Sequence, residues 1–309
     1  MKVNHHIPFQ TTMLKPQYWG AWLVVFFMWL ISLLPLSTKH TLGKALGTLL
    51  YRTMKGRTKI GRKNLSACFP QKAPEKIEAL LKANMQQMAI GALECTHAWW
   101  GDMQPYIQKA NIIGIENLLE PLSRGQGVLM MGGHFAAIDF NLPLVVDQLD
   151  GEKRLAYMYR PHDNPVIDRM IVNGRNRENA RGFSKDQGKD LIKWIKSGQV
   201  AWYACDQNFS KASTLFAPFF GIQAANLAMP TLIARRSNAV VVFLRMHRLE
   251  NGVFEIEVSK PLENFGEDPQ KDCEMWNQEL EKAVRMHPSQ YFWVHKRFKK
   301  RPPGEPKFY

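Results

Sequence analysis

From about residue 111 onward, short apolar runs alternate with stretches in which apolar positions recur every third or fourth residue. That pattern predicts strands feeding helices. The runs near Ile112–Ile113 and at Val128–Met131, Leu155–Tyr159 and Val200–Ala204 read as strands. Ala136–Asp147, Pro165–Arg177 and Gln187–Lys196 read as helices between them. A helix over Ala228–Arg236 then leads to a strand at Val240–Met246, and Asn251–Gly252 is a hairpin turn into Phe254–Val258. The expected fold is α/β, with a mixed, largely parallel central sheet flanked by helices.

The first third of the chain has a different pattern. No charged residue occurs from Pro16 to Thr38, and Trp19 to Leu34 is almost wholly apolar between Lys15 and Lys39. This predicts an N-terminal membrane helix, either spanning or deeply embedded, and a division into an anchor (1–38) and a catalytic domain (39–309). The run is longer than the apolar core of a signal peptide. Leu42, Leu46, Leu49 and their neighbours recur at helical spacing with Lys44, Arg52 and Lys55 offset from them. Such a helix lies either on an anionic bilayer surface or against the core. Pro74 opens a second amphipathic stretch that continues to Trp99.

Charge sharpens the picture. The 309 residues carry a formal charge of +14, and no Asp or Glu precedes Glu75 while Lys and Arg recur from Lys2 to Lys72. A basic flank after an apolar run predicts that the following domain faces the cytoplasm. A second basic cluster, Lys296–Arg301, suits phosphates or an acidic carrier, or is a solvated tail. Nucleic acid is a poor fit, because the basic segments lack the interleaved aromatic residues that stack bases. The four cysteines show neither a CxxC pair nor metal-ligand cadence, so a reducing compartment and no structural zinc are expected.

Candidate chemistry gathers at predicted strand ends. Val128–Met131 leads through Gly132–Gly133, which turns the chain without a Cβ penalty, to His134 and then Asp139. Parallel sheets bind ligands at their carboxyl edge. With His134 in the loop and Asp139 in the helix, the ring can fold back onto the carboxylate as an oriented general base. A second copy of the spacing, His97 and Asp102, follows an amphipathic stretch and reads as a coincidence. Arg160, ahead of Pro161, would enter the same rim and suit a phosphate or oxyanion, or pair locally with Asp163 or Asp168. Asn164 and Asp168 open the next helix, where Asn164 also fits a cap. Asp206 ends the following strand in Asp206–Gln207–Asn208, as a site residue or a cap. The aromatic-rich Ser210–Gly221 reads as a mobile loop lining a tunnel for a long apolar substrate.

Taken in order, several motifs resemble a known family. They are Leu14–Lys15–Pro16–Gln17–Tyr18–Trp19, Arg62–Lys63–Asn64–Leu65 with Cys68–Phe69–Pro70, Gly133–His134 with Asp139, and Tyr159–Arg160–Pro161. They continue as Asp163–Asn164–Pro165 with Ile167–Asp168, Trp202–Tyr203–Ala204 with Asp206, and Gln290–Tyr291 with Trp293, His295, Arg297 and Arg301–Pro302. From about Lys15 to Tyr309 the chain resembles the late acyltransferases of lipid A biosynthesis, which move an acyl chain from acyl carrier protein to a Kdo-bearing lipid A precursor. The resemblance implies a glycerolipid-acyltransferase-like fold at the inner membrane, facing the cytoplasm, with His134 and Asp139 as the catalytic pair. It implies an acceptor site drawn from Arg160, Asn164, Asp168 and Asp206. The wider superfamily's Pro-Glu-Gly motif is absent, and Asp206–Gln207–Asn208 stands at the comparable strand end. Ester formation from a thioester needs a base and oxyanion donors, and no cofactor or metal. No Ser or Cys sits in a nucleophile-elbow setting, which favours direct attack over an acyl-enzyme. The rival readings are an acyltransferase for another membrane glycerolipid or glycolipid, and a non-catalytic membrane-anchored binder of anionic lipid.

Overall fold

The computed structural model describes residues 6–149, 151–176, 180–207 and 214–309. Four helices come first: α1 (Trp19–Ser32), α2 (Leu36–Thr53), α3 (Lys55–Cys68) and the long α4 (Pro74–Trp100). The short α5 (Gln104–Ile107), β1 (Asn111–Ile113) and α6 (Glu116–Ser123) lead into the alternating part. That part runs β2 (Val128–Gly132), α7 (Ile138–Val146), β3 (Leu155–Tyr159), α8 (Pro165–Arg175), β4 (Ala180–Ser184), α9 (Gly188–Lys196) and β5 (Val200–Ala204). The hairpin β6 (Thr214–Phe219) and β7 (Ile222–Leu227), then α10 (Met229–Ser237), β8 (Val240–Arg248), β9 (Phe254–Val258) and α11 (Pro269–Met286), complete the order.

Seven strands form one sheet in the order β1-β9-β8-β2-β5-β3-β4. The neighbours from β8 to β4 pair in parallel, and β9 pairs antiparallel with β8. The expected largely parallel sheet with flanking helices is what forms. β2 is buried at every position, and its alternate residues enter different cores: Leu129 and Met131 on one face, Val128 and Met130 on the other.

Three expectations need correction. No described helix is long and apolar enough to cross a membrane. Pro16–Tyr18 is a separate 3-10 turn, α1 has 14 residues, and Pro35 starts α2. At 1.5 Å per residue α1 reaches only about 21 Å of the ~30 Å hydrocarbon thickness. Lys39, read as the basic residue that closes the apolar run, is fully buried: its ammonium donates to the Ser32 carbonyl at 3.0 Å and meets His97 Nδ1 at 3.2 Å. Burial, partly offset by the Glu94 charge, lowers its pKa to about 8.

The third correction concerns the expected mobile loop. Thr214 onward is strand, closed by Phe220 and Gly221, whose φ values of +52° and +74° suit a two-residue hairpin turn. α11 covers the hairpin, with Asn277 Nδ2 donating to the Ala217 carbonyl at 3.2 Å and the Pro218 carbonyl at 3.1 Å. Asn208 and Ser210–Ser213 lie outside the described residues.

The helices of the first third pack by close approach. A Cβ on Gly47 would stand 2.3 Å from the Gln86 Cα, and one on Gly43 would stand 2.7 Å from the Ile90 Cα, so α2 lies directly on the α4 backbone. The glycine face of α2 is therefore inward. Leu42, Leu46 and Leu49 point outward and are 45%, 39% and 56% exposed. On α1, Leu23, Phe26 and Phe27 are exposed as well, as is Leu33 at its C-terminal cap.

Candidate active site

Strand register builds the site. β2 and β5 run side by side with Val128 abreast of Val200 and Gly132 abreast of Ala204. Carried two residues past both strand ends, the same offset sets His134 abreast of Asp206, one strand spacing (about 4.8 Å) away. His134 Nδ1 hydrogen-bonds Asp206 Oδ1, and the His134 backbone N–H donates to Oδ2 at 2.8 Å. A carboxylate accepts, so Nδ1 carries the proton and Nε2 holds the lone pair of the neutral ring.

Close packing fixes the loop that presents the ring. Neither Gly132 nor Gly133 takes a left-handed φ, so their role is space and not handedness. A Cβ on Gly133 would stand 2.4 Å from Leu280 Cδ1, and one on Gly132 would stand 2.9 Å from Trp202 Nε1. The left-handed residue is Ala137, at φ +58°, which turns the chain into α7 past Gly91 of α4. Segment 290–292 clamps the other side: Ala136 N–H donates to the Gln290 carbonyl at 2.8 Å, and Phe292 N–H donates to the His134 carbonyl at 3.1 Å.

Asp139 is elsewhere. It is buried in the first turn of α7, accepts from Trp99 Nε1 at 2.9 Å, and receives Arg175 Nε at 3.0 Å and Nη2 at 2.9 Å. The expected fold-back of the His134 ring onto Asp139 is thus replaced by two separate pairs, His134–Asp206 and Asp139–Arg175. The reason is register: Asp206 arrives on the adjacent strand end, while the left-handed turn at Ala137 sends Asp139 towards α4 and α8. The Asp139–Arg175 pair borders a cavity of about 30 Å³ with otherwise apolar walls, including Ala98, Leu142 and Val146. That is room for a water molecule or two and not for an acyl chain.

Electrostatics follow this pairing. Burial works against the imidazolium, but the charge and hydrogen bond of Asp206 more than offset it, so His134 titrates above its ordinary value. The side chain keeps 32% of its surface accessible, which softens the burial penalty and reinforces the upward direction. For Asp206, burial opposes the carboxylate, and the charge and hydrogen bonds of His134 outweigh that, holding it below the usual range. The buried Tyr291 is close enough for the charge of the same carboxylate to add to the burial that raises its phenol well above its ordinary value. Arg297, whose charge also favours ionised Asp206, is held by the Ala225 carbonyl at 2.6 Å and Asn226 Oδ1 at 2.7 Å. Arg175 stays charged, because Asp139 outweighs its burial, and its charge bears on His134.

The chain matches, over residues 6–300, the sequence profile of the family described as bacterial lipid A biosynthesis acyltransferase. It belongs to that family. It is 33% identical to the lipid A biosynthesis lauroyltransferase of Escherichia coli (strain K12) over 308 residues, covering 97% of this chain and 98% of the relative. The palmitoleoyltransferase of the same strain is 28% identical over 97% of this chain and 98% of its own length. The myristoyltransferase is 29% identical over 98% and 94%. As a lipid A acyltransferase, the protein is an enzyme that acts on a lipid A acceptor.

The remaining expected site residues of this acyltransferase divide. Arg160 is exposed just past the end of β3, which pairs with β5. The order β2-β5-β3 therefore brings His134, Asp206 and Arg160 to one carboxyl edge. Asn164 is the N-cap of α8, its Oδ1 accepting from Val166 N–H at 3.0 Å and Ile167 N–H at 3.4 Å. Asp168 accepts from His162 N–H at 2.8 Å. Both order the chain that follows Arg160. His97 meets the carbonyl, not the carboxylate, of Asp102 at 2.9 Å, as befits a coincidental copy.

Arg175 and Trp99 were not anticipated. A basic residue in the last turn of a helix has a sufficient local reason in the helix dipole, so nothing in the sequence separates Arg175 from an ordinary helix end. Asp206 was expected at a strand end, but its partnership with His134 follows from the register of β2 against β5, which no short spacing in the sequence reports.

Proposed function

We propose that the protein transfers a fatty acyl chain from an acyl carrier protein thioester to the hydroxyl of a hydroxyacyl chain on a Kdo-bearing lipid A precursor, by direct attack at the cytoplasmic face of the inner membrane. The observation that carries the mechanism is the His134–Asp206 pair, with a partly open imidazole at the carboxyl edge of the sheet. His134 Nε2 takes the proton from the acceptor hydroxyl, and the oxygen attacks the thioester carbonyl. The oxyanion meets positive charge from Arg175, held by Asp139, while Arg160 on the same rim suits a phosphate of the acceptor. Collapse breaks the C–S bond, and His134 returns the proton to the departing thiolate.

Direct attack is supported by the cysteines. All four are buried, and burial pushes Cys205, beside Asp206, well above the usual thiol range, so it is a protonated thiol at neutral pH. The exposed leucine and aromatic faces of α1 and α2 suit a helix pair embedded in one leaflet.

The test is an assay of purified full-length protein with acyl carrier protein thioester and two acceptors, the Kdo-bearing precursor and lysophosphatidate, read by mass spectrometry. The precursor should gain one acyl chain and His134→Ala should lose about 10²–10⁴-fold. Acylation of lysophosphatidate alone, or a stable acyl-protein adduct formed before acceptor is added, would overturn the reading.

A further inference from the structure

A second, basic site opens on the far side of the segment that clamps His134. A groove of about 830 Å³ runs between the start of α3 and the last part of the chain, lined by Lys55, Arg57, Lys59, Lys63, Lys296 and Tyr309 together with Thr53, Met54, Gly56 and Ile60. No Asp or Glu lines it. Among the described residues none of its five cations pairs with a carboxylate, whereas the neighbouring Arg62 is paired with Glu78. An ordinary solvated basic face is convex and mixed with acids. This one is concave, and its side-chain charges are of one sign.

Three of its cations are also held in place. Arg57 Nη1 donates to the Val294 carbonyl at 3.3 Å. The Lys63 ammonium stands 5.3 Å from the centre of the Phe308 ring, and that of Lys296 stands 5.8 Å from the Tyr309 ring. Tyr309 is fixed in turn, its hydroxyl donating to Asn64 Oδ1 at 2.5 Å.

Position says what such a groove meets. The outward residues Leu42, Leu46 and Leu49 of α2 continue at helical spacing to Thr53, which lines the groove beside the exposed Met54. The apolar face thus ends on the cations, the order of a leaflet from acyl chains to headgroups. Phe292 bonds to His134 while Arg57 bonds to Val294 and Lys296 lines the groove. Four residues of chain span at most about 14 Å, so a headgroup held here lies close to the reaction rim.

We propose that this groove is a binding site for the phosphate of an anionic bilayer lipid headgroup, one that carries no choline to neutralise it, distinct from the His134 site. The proposal rests on the reading that α1 and α2 lie in a leaflet. Its test uses full-length protein and sedimentation with three kinds of vesicle: phosphatidylcholine alone, phosphatidylcholine with phosphatidic acid, and phosphatidylcholine with cholesteryl hemisuccinate at a matched surface potential. Wild type should bind the first through its leucines and the phosphatidic acid vesicles about tenfold or more tightly than the carboxylate-bearing ones. Lys59→Gln/Lys63→Gln should lose that preference while keeping its affinity for phosphatidylcholine alone and its melting temperature.

Wild-type binding to phosphatidylcholine with no preference for the phosphatidic acid vesicles over the carboxylate-bearing ones would overturn the groove alone. No binding to any vesicle would overturn the leaflet reading and the groove with it. Loss of affinity for an acidic carrier protein in the double variant, with the vesicle profile unchanged, would assign the groove to that carrier and contradict the proposal.

Discussion

His134 and Asp139 are five residues apart in the chain, yet each is bonded to a residue much farther along it, Asp206 and Arg175. The two pairs should respond differently to substitution. Asp206→Asn keeps the shape but offers the ring a neutral partner and the choice of the wrong tautomer, so transfer should fall by about 10²–10⁴-fold with the fold intact. Asp139→Ala leaves the Arg175 guanidinium without its buried partner, which costs about 3–5 kcal/mol of stability and is read in a denaturant melt. A melt of Asp139→Ala indistinguishable from wild type would mean that Arg175 does not depend on the pair. Much at this scale was legible: a His delivered by a strand and two glycines, and an arginine and an aspartate at neighbouring strand ends. The pairing was not, because it is set by a register joining residues 72 apart, and a short spacing such as that from His134 to Asp139 carries no information about register.

At the scale of elements, the lengths and turn signals of β3, β5 and β9 are plain in the sequence, whereas β4, the β6–β7 hairpin and α11 are not. β4 reads Ala-Arg-Gly-Phe-Ser, too polar to stand out as a buried run, and Pro218 interrupts β6. The N-terminal helices show the same limit. Apolar spacing on α2 identified a helix but not which face is inward, and the backbone contact at Gly43 and Gly47 decides it. Gly47→Val should therefore push α2 off α4 and lower the melting temperature, more than Leu46→Ser on the outer face. Equal effects would contradict the packing. α2, α4 and β8 are also tied through Glu94, which is fully buried, 2.7 Å from His40 Nε2 and paired with Arg248. Glu94→Ala should cost about 3–5 kcal/mol by stranding Arg248, and a loss below about 1 kcal/mol would show that the pair carries little.

Across the whole molecule, the charge asymmetry and the α/β alternation both pointed to a basic, membrane-facing surface joined to a parallel-sheet enzyme. The sequence overstated the membrane segment, because an apolar run reports hydrophobicity and not where Pro16 and Pro35 divide it. A helix pair lying in the inner leaflet predicts that protease added outside sealed spheroplasts leaves the chain intact, and that cleavage after Lys39 there would reverse the topology.

The central claim is that the sheet makes His134 a base oriented by Asp206. Activity requires the neutral ring, so kcat/KM for acyl transfer should rise with pH through the raised pKa of His134, above 6.5 in wild type. In Asp206→Asn the burial and the Arg175 charge remain and outweigh the smaller favourable charge of Asp139, so the acid limb should move to lower pH, beneath a reduced plateau. The most direct measurement is therefore the pH profile of kcat/KM for wild type, Asp206→Asn and Asp139→Asn side by side. The structure predicts that Asp206→Asn shifts the acid limb downward by far more than Asp139→Asn does. An acid limb that stays in place in Asp206→Asn and moves in Asp139→Asn would contradict it.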